Sequence, residues 1–263
     1  MATPQKIRCM VKKIEDHGDH VYTVDLTPER SLPRFKPGQF LHLTLDDYDP
    51  SSFWPESRVF SIASSPNYKN ILTISYSVRG RYTSRMENEL HEGMSVWVKL
   101  PYGDFVIQDT NNIVLLAGGT GITAFVAFID GLNNELNRNV FLAYGARKRE
   151  LLLYRDLIDA KAVTNKGFHA SYFVETNDKS NSTARCPLVL NTQHAALSSL
   201  PSALSSQPFL TGCLSLESIW NQLQETQSAI YYMAGPPAMI QSFTTKLLNK
   251  NIKQEQIKVD AWE

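Results

Sequence analysis

Residues 113–125 read Ile-Val-Leu-Leu-Ala-Gly-Gly-Thr-Gly-Ile-Thr-Ala-Phe. The five apolar residues from Ile113 to Ala117 suit a strand buried on both faces, and Gly118, Gly119, Thr120 and Gly121 then end it abruptly before a helix. From Gly119 the run fits G-x-G-x-x-A. In that pattern glycines permit a tight turn and close approach of the backbone to a pyrophosphate, while the helix start presents free N–H groups. A buried strand closed by an ordinary glycine turn would read the same way, so the surroundings must decide between the two.

Downstream, strand and helix alternate. The spacing predicts a helix from Ile122 to about Leu136, a strand over Asn139 to Tyr144, a helix near Glu150 to Ala162 and a strand over Phe168 to Glu175. It continues with a helix over Ser215 to Gln224, a strand over Ala229 to Ala234, a helix over Pro236 to Asn249 and a last strand near Gln256 to Ala261. Such alternation means a doubly wound parallel sheet, with ligands at the carboxyl ends of the strands. The glycine loop, Gly145-Ala146-Arg147 and Ala234-Gly235-Pro236 all fall at those ends. Between them, residues 177–208 are rich in Ser, Asn, Ala and Gln with little apolar periodicity, and read as a loop insertion.

Upstream the period is two. Tyr22, Val24 and Leu26 share one face, as do Leu72, Ile74, Tyr76 and Val78, and Val96, Val98 and Leu100. Turn chemistry separates these runs at His17-Gly18-Asp19, Lys36-Pro37-Gly38, Ser65-Pro66-Asn67 and Pro101-Tyr102-Gly103-Asp104, which argues for an antiparallel barrel or sandwich. One short helix interrupts them, Thr83 to His91, with Thr83 or Ser84 available as N-cap. The chain therefore divides into residues 1–107 and residues 108–263.

Composition narrows the partners. With 263 residues, of which 43% are apolar, the chain can bury the cores of two domains. Lys plus Arg and Asp plus Glu are 26 each, so no general field attracts nucleic acid. No signal-peptide core or membrane-length apolar run is present, which points to a cytoplasmic protein without an integral membrane segment. Cys9, Cys186 and Cys213 stand far apart, with no zinc or iron–sulfur spacing, and are expected as free thiols; no metal site is expected.

Two stretches of the first half carry chemistry. Arg58-Val59-Phe60-Ser61 places a guanidinium, an aromatic ring and a hydroxyl within four residues, and Gly80-Arg81-Tyr82-Thr83-Ser84 is a glycine turn feeding a helix start, hence an anion site. Singly, each has a plain alternative: a surface arginine paired with Glu56, and a hairpin glycine before a capped helix.

In order along the chain, R-V-F-S-I-A-S-S, G-R-Y-T-S, P-Y-G-D-F, G-G-T-G-I-T-A-F and Y-Y-M-A-G-P-P-A-M together resemble the ferredoxin–NADP reductase superfamily. The resemblance implies an N-terminal six-stranded antiparallel Greek-key barrel that binds flavin, followed by a doubly wound nucleotide domain. It implies that Arg58 pairs with the flavin phosphate or diphosphate. It implies further that Phe60 would lie against the isoalloxazine ring, that Val59 on the same strand belongs to the cofactor-binding set, and that Ser61 would hydrogen-bond near flavin N5. It also implies that Gly80, Thr83 and Ser84 present donors to phosphate, and that Gly118, Gly119, Thr120, Gly121, Ala234, Gly235 and Pro236 hold NAD(P)H. FAD is the commoner flavin of the family, and FMN serves some members. Arg147 would stand near the adenosine ribose; the neighbouring cations lean towards NADPH, yet relatives that use NADH carry a similar stretch, and the choice stays open. Two departures stand out. Ala234 replaces the cysteine that many relatives place beside the nicotinamide, and Ala124 stands where many have proline. At the end, Asp260 and Trp262 resemble a terminal acidic group and a ring-covering aromatic, assigned with Ser61 to the catalytic centre.

The implied function is a flavin-dependent oxidoreductase that moves hydride from NAD(P)H to flavin. Lacking iron–sulfur cysteines, it would pass electrons to an external acceptor: ferredoxin, flavodoxin, an oxygenase component, or free flavin or quinone. The alternative is a non-catalytic regulatory or assembly subunit retaining the nucleotide fold.

Overall fold

The computed structural model describes residues 3–107, 112–133, 138–175, 209–223 and 225–260. Six strands of the first half, β1 (Gln5–Asp16), β2 (Val21–Pro28), β3 (Phe40–Thr44), β4 (Arg58–Ser61), β5 (Leu72–Ser77) and β6 (Ser95–Tyr102), pair antiparallel in the order β4-β3-β6-β1-β2-β5. The return of β6 between β1 and β3 makes the connectivity a Greek key. Just past β4, the Ala63 N–H donates to the Thr73 carbonyl of β5 at 2.9 Å, so the two edges of the sheet meet and the barrel nearly closes. Its core is built by alternation: Ile7, Cys9 and Val11 on β1 face Val96, Val98 and Leu100 on β6, all buried.

Periodicity did not single out β1 or β3. On β1 the exposed Met10 puts an apolar residue on the outward face and the pairing slips between Val11 and Lys13, which breaks the alternation, and β3 is buried along nearly its whole length, so it shows none. Helix α1 (Arg81–Glu89) closes the barrel with Tyr82 and Met86 turned inward. It starts two residues earlier than the sequence suggests. Its N-cap is Gly80, and Thr83 sits in the first turn, where its Oγ1 accepts from the Arg79 and Gly80 N–H groups at 2.9 and 3.2 Å. Thr83 therefore caps from inside the helix, by reaching back.

The second sheet is wholly parallel. Strands β7 (Ile113–Gly118), β8 (Val140–Ala146), β9 (Phe168–Val174), β10 (Phe209–Thr211), β11 (Ile230–Ala234) and β12 (Ile257–Asp260) lie in the order β10-β9-β8-β7-β11-β12. Helices α2 (Thr123–Asp130) and α3 (Arg155–Thr164) cover one face; α4 (Leu216–Trp220) and α5 (Pro237–Asn249) cover the other. Strand β7 supplies both cores, Ile113, Leu115 and Ala117 to one and Val114 and Leu116 to the other, which is why its sequence is uniformly apolar.

Several boundaries differ from expectation. The glycine loop continues as a 3₁₀ turn over Gly119–Ile122, and α2 stops at Asp130 with Gly131 behind it; the expected run to Leu136 enters residues outside those described. Helix α3 begins at Arg155, because Tyr154 adopts a left-handed conformation (φ 59°) that separates it from the 3₁₀ turn Arg149–Leu151 holding Glu150. Helix α4 is a short piece capped by Ser215, whose Oγ accepts from the Ser218 N–H at 3.2 Å. The three-residue edge strand β10 is too short for periodicity to reveal. The insertion at 177–208 lies outside the described residues. Cys9 is a buried free thiol, whereas Cys213 is disulfide-bonded, against the expectation of free thiols, since the sequence around a cysteine does not record its pairing. No helix of the described residues is long and apolar enough to cross a membrane.

The barrel is fastened to the parallel sheet at the β1–β2 hairpin. Val21 and Ala63 of the barrel join the same buried cluster as Leu142 and Tyr144. A hydrogen-bonded chain runs from His17 Nε2 to Thr23 Oγ1 (2.9 Å), to Ser75 Oγ (2.8 Å), to the Tyr154 hydroxyl (2.5 Å). At the hairpin tip, Lys148 Nζ sits 2.7 Å from Asp19 Oδ1.

Candidate functional site

The chain end of β4, the start of α1 and the carboxyl ends of β7 and β11 converge on one cleft of about 460 Å³ between the two sheets. Barrel residues Arg58 to Ser61, Ser75 to Ser77 and Arg79 to Thr83 line one side. Gly118, Thr120, Gly121, Thr123, Ala234 to Pro237 and Asp260 line the other. The cleft has no single-domain origin; it exists because the hairpin and Tyr154 hold the sheets together.

On β4 burial does not follow simple alternation, since the strand passes from an exposed Arg58 to a buried Phe60 two residues on. Arg58 is exposed in the cleft and makes no ion pair among the described residues; Glu56, its plain sequence partner, is engaged by Arg81 at 2.6 Å. Phe60 turns inward, packed 6.0 Å from the Tyr76 ring, and Tyr76 stacks in turn on Tyr22 at 5.4 Å. Burial pushes the Tyr76 phenol well above its ordinary value, so it stays a neutral wall of the cleft. Ser61 points the other way from Phe60, and its Oγ donates to Asp260 Oδ2 at 3.3 Å. The buried Asp260 carboxylate at the end of β12 thus meets a hydroxyl of the barrel in the middle of the cleft.

The glycines divide into two kinds. A Cβ on Gly121 would lie 2.3 Å from the Ala234 carbonyl oxygen, and one on Gly118 would lie 2.8 Å from both Pro236 Cδ and Met239 Sδ. Gly235, at φ 152°, would set its Cβ 2.8 Å from Met239 Cε and 3.0 Å from Gly118 Cα. Gly121 and Gly235 are glycine where the β7 and β11 loops pack backbone against backbone, and Gly118 where the Pro236 ring and the Met239 side chain close over it. Gly119 and Gly80 differ: nothing lies within 4 Å of where a side chain would stand, so each leaves an open backbone face. At Gly119 the left-handed φ of 55° also calls for glycine.

Thirteen of the residues singled out by the sequence border the cleft: Arg58, Val59, Phe60, Ser61, Gly80, Thr83, Gly118, Thr120, Gly121, Ala234, Gly235, Pro236 and Asp260. Ser84 lies on α1 and Gly119 on the loop, beside the lining. Arg147 is exposed at the end of β8, away from the cleft, and Trp262 lies outside the described residues. Sequence reasoning missed Ser75, Tyr76, Arg79 and Thr123. The first two were legible only as strand residues; Thr123 carries the one usable signal, a hydroxyl at the helix start, and its Oγ1 donates to the Thr120 carbonyl at 2.7 Å, bracing the loop. Among the described residues no group of His, Cys, Asp and Glu is placed to hold a metal.

These features suit an elongated, phosphate-bearing, planar group. An exposed guanidinium, an open glycine at a helix start, an aromatic wall and a hydroxyl–carboxylate pair succeed one another along the barrel side, and a second glycine loop faces them. Residues 115–245 match the oxidoreductase NAD-binding domain family. The anthranilate 1,2-dioxygenase electron transfer component of Acinetobacter baylyi is 27% identical over 81% of this chain and 54% of its own length. The terephthalate 1,2-dioxygenase reductase component of Comamonas is 30% identical over 50% of this chain and 38% of its own. The chain thus spans about half the length of the curated relatives it matches. In fold, it is similar to a ferredoxin NADP+ reductase from Neisseria gonorrhoeae with bound FAD and NADP, at a TM-score of 0.65, 17% identity and 99% coverage of both chains. A cytochrome P450 reductase from Amycolatopsis gives a TM-score of 0.74 at 18% identity, over 98% of this chain and 69% of that one.

Proposed function

Because the chain belongs to the ferredoxin–NADP reductase superfamily, we propose that it is an NAD(P)H-dependent flavoprotein reductase that delivers electrons to an external protein acceptor. The observation that carries the proposal is the meeting of Ser61 and Asp260 at 3.3 Å, in a cleft that joins the barrel motif to the dinucleotide loop. In this reading residues 1–107 hold the flavin and residues 108–263 the nucleotide.

The residues fit a flavin, FAD in the first place and FMN in the second. Arg58 holds its phosphates through a planar guanidinium, with the open backbone of Gly80 and the first turn of α1 beside it. Thr83 supports that turn, its hydroxyl already serving the Arg79 and Gly80 N–H groups, and Ser84 continues it. Phe60 and Val59 border the ring, and Tyr76 fixes the angle of Phe60. A bound flavin supplies the hydride-accepting chemistry; the protein contributes position and electrostatics.

Ser61 and Asp260 orient each other. The carboxylate fixes the direction of the hydroxyl, and together they would hold a proton beside a bound flavin. Trp262, two residues further on, is assigned to cover the ring. On the nucleotide side Gly119 and Thr120 offer backbone to the pyrophosphate. Gly118, Gly121, Ala234, Gly235 and Pro236 keep the β7 and β11 loops at the separation the nicotinamide needs. Ala234 removes any role for a thiol at that place.

An oxygenase component is the kind of acceptor that the dioxygenase reductase relatives suggest. The alternative of a non-catalytic subunit draws no support from those relatives. A cytoplasmic location goes with the donor, since reduced nicotinamide nucleotides are intracellular. The test is direct. Chain reconstituted with FAD or FMN turns yellow and bleaches anaerobically when NADH or NADPH is added; a chain that takes up neither flavin overturns the proposal.

A further inference from the structure

We infer that this chain takes NADH and rejects NADPH, and that Glu175, at the end of β9, is the residue that excludes the 2′-phosphate. The inference rests on the reductase reading above and specifies its donor.

In a parallel sheet the pyrophosphate sits at the loop after the first strand, here β7. The β11–β12 side, with Ala234 and Asp260, faces the flavin cleft, so the nicotinamide goes there. The adenosine must then run the opposite way, across the carboxyl ends of β8 and β9. An acidic group at that place bonds the ribose 2′-hydroxyl, and an arginine admits a 2′-phosphate.

The sequence offers three cations there, Arg147, Lys148 and Arg149, but the fold directs them elsewhere. Lys148 is bound to Asp19 of the barrel hairpin at 2.7 Å. Arg147 faces the same carboxylate, and the two cations, Lys148 foremost through its hydrogen bond, hold Asp19 below the usual carboxylate range. The Arg149 guanidinium lies 4.0 Å from the centre of the Phe209 ring. A fourth cation, Arg155, stands 4.2 Å from the same ring and 3.3 Å from Asp159 Oδ2. The basic run that suggests a phosphate site is thus a fastening, joining the barrel hairpin to β8 and the edge strand β10 to α3.

Glu175 has the opposite character. Its N–H donates to the Ala146 carbonyl at 3.2 Å, which places it against the end of β8. Its side chain is exposed and forms no ion pair among the described residues. Glu150, in the 3₁₀ turn that follows β8, is a second exposed carboxylate. A 2′-phosphate brings about two negative charges to this place. It would meet the Glu175 carboxylate there, and the cations it needs already serve Asp19, Asp159 and Phe209. A ribose diol would instead donate to Glu175.

The experiment measures equilibrium binding of NAD+ and NADP+ to the full flavin-loaded chain by calorimetry, alongside anaerobic reduction by NADH and by NADPH. NAD+ is expected to bind at least about tenfold more tightly than NADP+, with KM in the same order. Glu175→Gln is expected to narrow that ratio about threefold to tenfold, by weakening NAD+ and strengthening NADP+ together. Lys148→Met is expected to leave the ratio in place, because Lys148 serves Asp19. Equal or tighter binding of NADP+ overturns the inference while the reductase reading stands. So does an unchanged ratio in Glu175→Gln, or a selective loss of NADP+ in Lys148→Met. Absence of binding and of reduction with either nucleotide overturns the reductase reading itself. Glu175 is exposed, so the variant keeps its fold, and a thermal melt verifies it.

Discussion

Ser61 Oγ donates to Asp260 Oδ2 at 3.3 Å, across the boundary between a β-barrel strand and the last strand of a parallel sheet. The pair joins residues 199 positions apart, so neither its existence nor its place in the cleft follows from local pattern. If it orients the proton beside the reacting face, Ser61→Ala and Asp260→Asn should each slow flavin reduction by roughly 10- to 100-fold, the range of an oriented acid–base group. Flavin affinity should change little. The double variant should lose much less than the product of the two, since each single change already breaks the pair. Stopped-flow reduction of the four proteins checks this; fully multiplicative losses would show that the two act separately.

Arg58 stands exposed in the cleft and makes no ion pair among the described residues. Arg58→Ala should therefore weaken flavin binding about 10- to 100-fold, as loss of a charge-assisted contact does, with almost no change in melting of the flavin-free chain. Flavin titration and thermal melts of apo protein separate the two effects. An equal loss in both would make Arg58 a structural residue.

The glycines should not respond alike. Gly121→Ala drives a methyl to within 2.3 Å of the Ala234 carbonyl and should cost about 2–4 kcal/mol, since two backbones must part. Gly119→Ala meets no atom but must keep φ 55°, costing about 1–2 kcal/mol. Gly80→Ala, in extended backbone with open space, should leave stability nearly intact and reduce flavin affinity. Urea unfolding of the three variants, with flavin titration of the last, ranks them.

Tyr154 carries the chain of hydroxyls that fastens the barrel to the parallel sheet. Removing its hydroxyl in Tyr154→Phe leaves the buried Ser75 with one partner fewer and should cost about 1 kcal/mol. Because Ser75 also lines the cleft, the change should raise proteolysis at the joint between the sheets before it lowers the global melting temperature.

At the other end of that chain, burial lowers the His17 pKa below its ordinary 6.5, and Glu15 and Asp16 only partly oppose it. The neutral ring is the folded form, so the unfolded chain binds the extra proton. The stability it contributes is present above pH 6.5 and is lost as pH falls through the lower folded value. His20 works in the other direction, raised by its contact with Glu87, but it is fully exposed and counts for little. Unfolding followed from pH 7.5 to 5 should show a slope that flattens in His17→Asn. A slope that His17→Asn leaves unchanged would assign the pH dependence to other groups.

How much of this was legible beforehand differs from element to element. Strand β7 was readable because a strand buried on both faces must be apolar at every position, and β2, β5 and β6 because a barrel wall buries every second residue. The order of the motifs located the cleft side of β4, α1 and the two nucleotide loops. Those are consequences of burial along one segment, and a sequence records burial directly. Contacts between distant segments leave no such record. Gly118 and Gly121 read as a phosphate cradle, yet packing against Pro236, Met239 and the Ala234 carbonyl requires them to be glycine. Arg147, Lys148 and Arg149 lean towards a 2′-phosphate by charge and leave the choice of nucleotide open, and only the fold brings Asp19 against the first two and the Phe209 ring against the third. The N-cap of α1 moved to Gly80 because the Thr83 hydroxyl could reach backward. Periodicity along the chain determined the two sheets. Only their packing against each other decided which polar groups face one another, because that depends on distances across the interface and not on spacing along the chain.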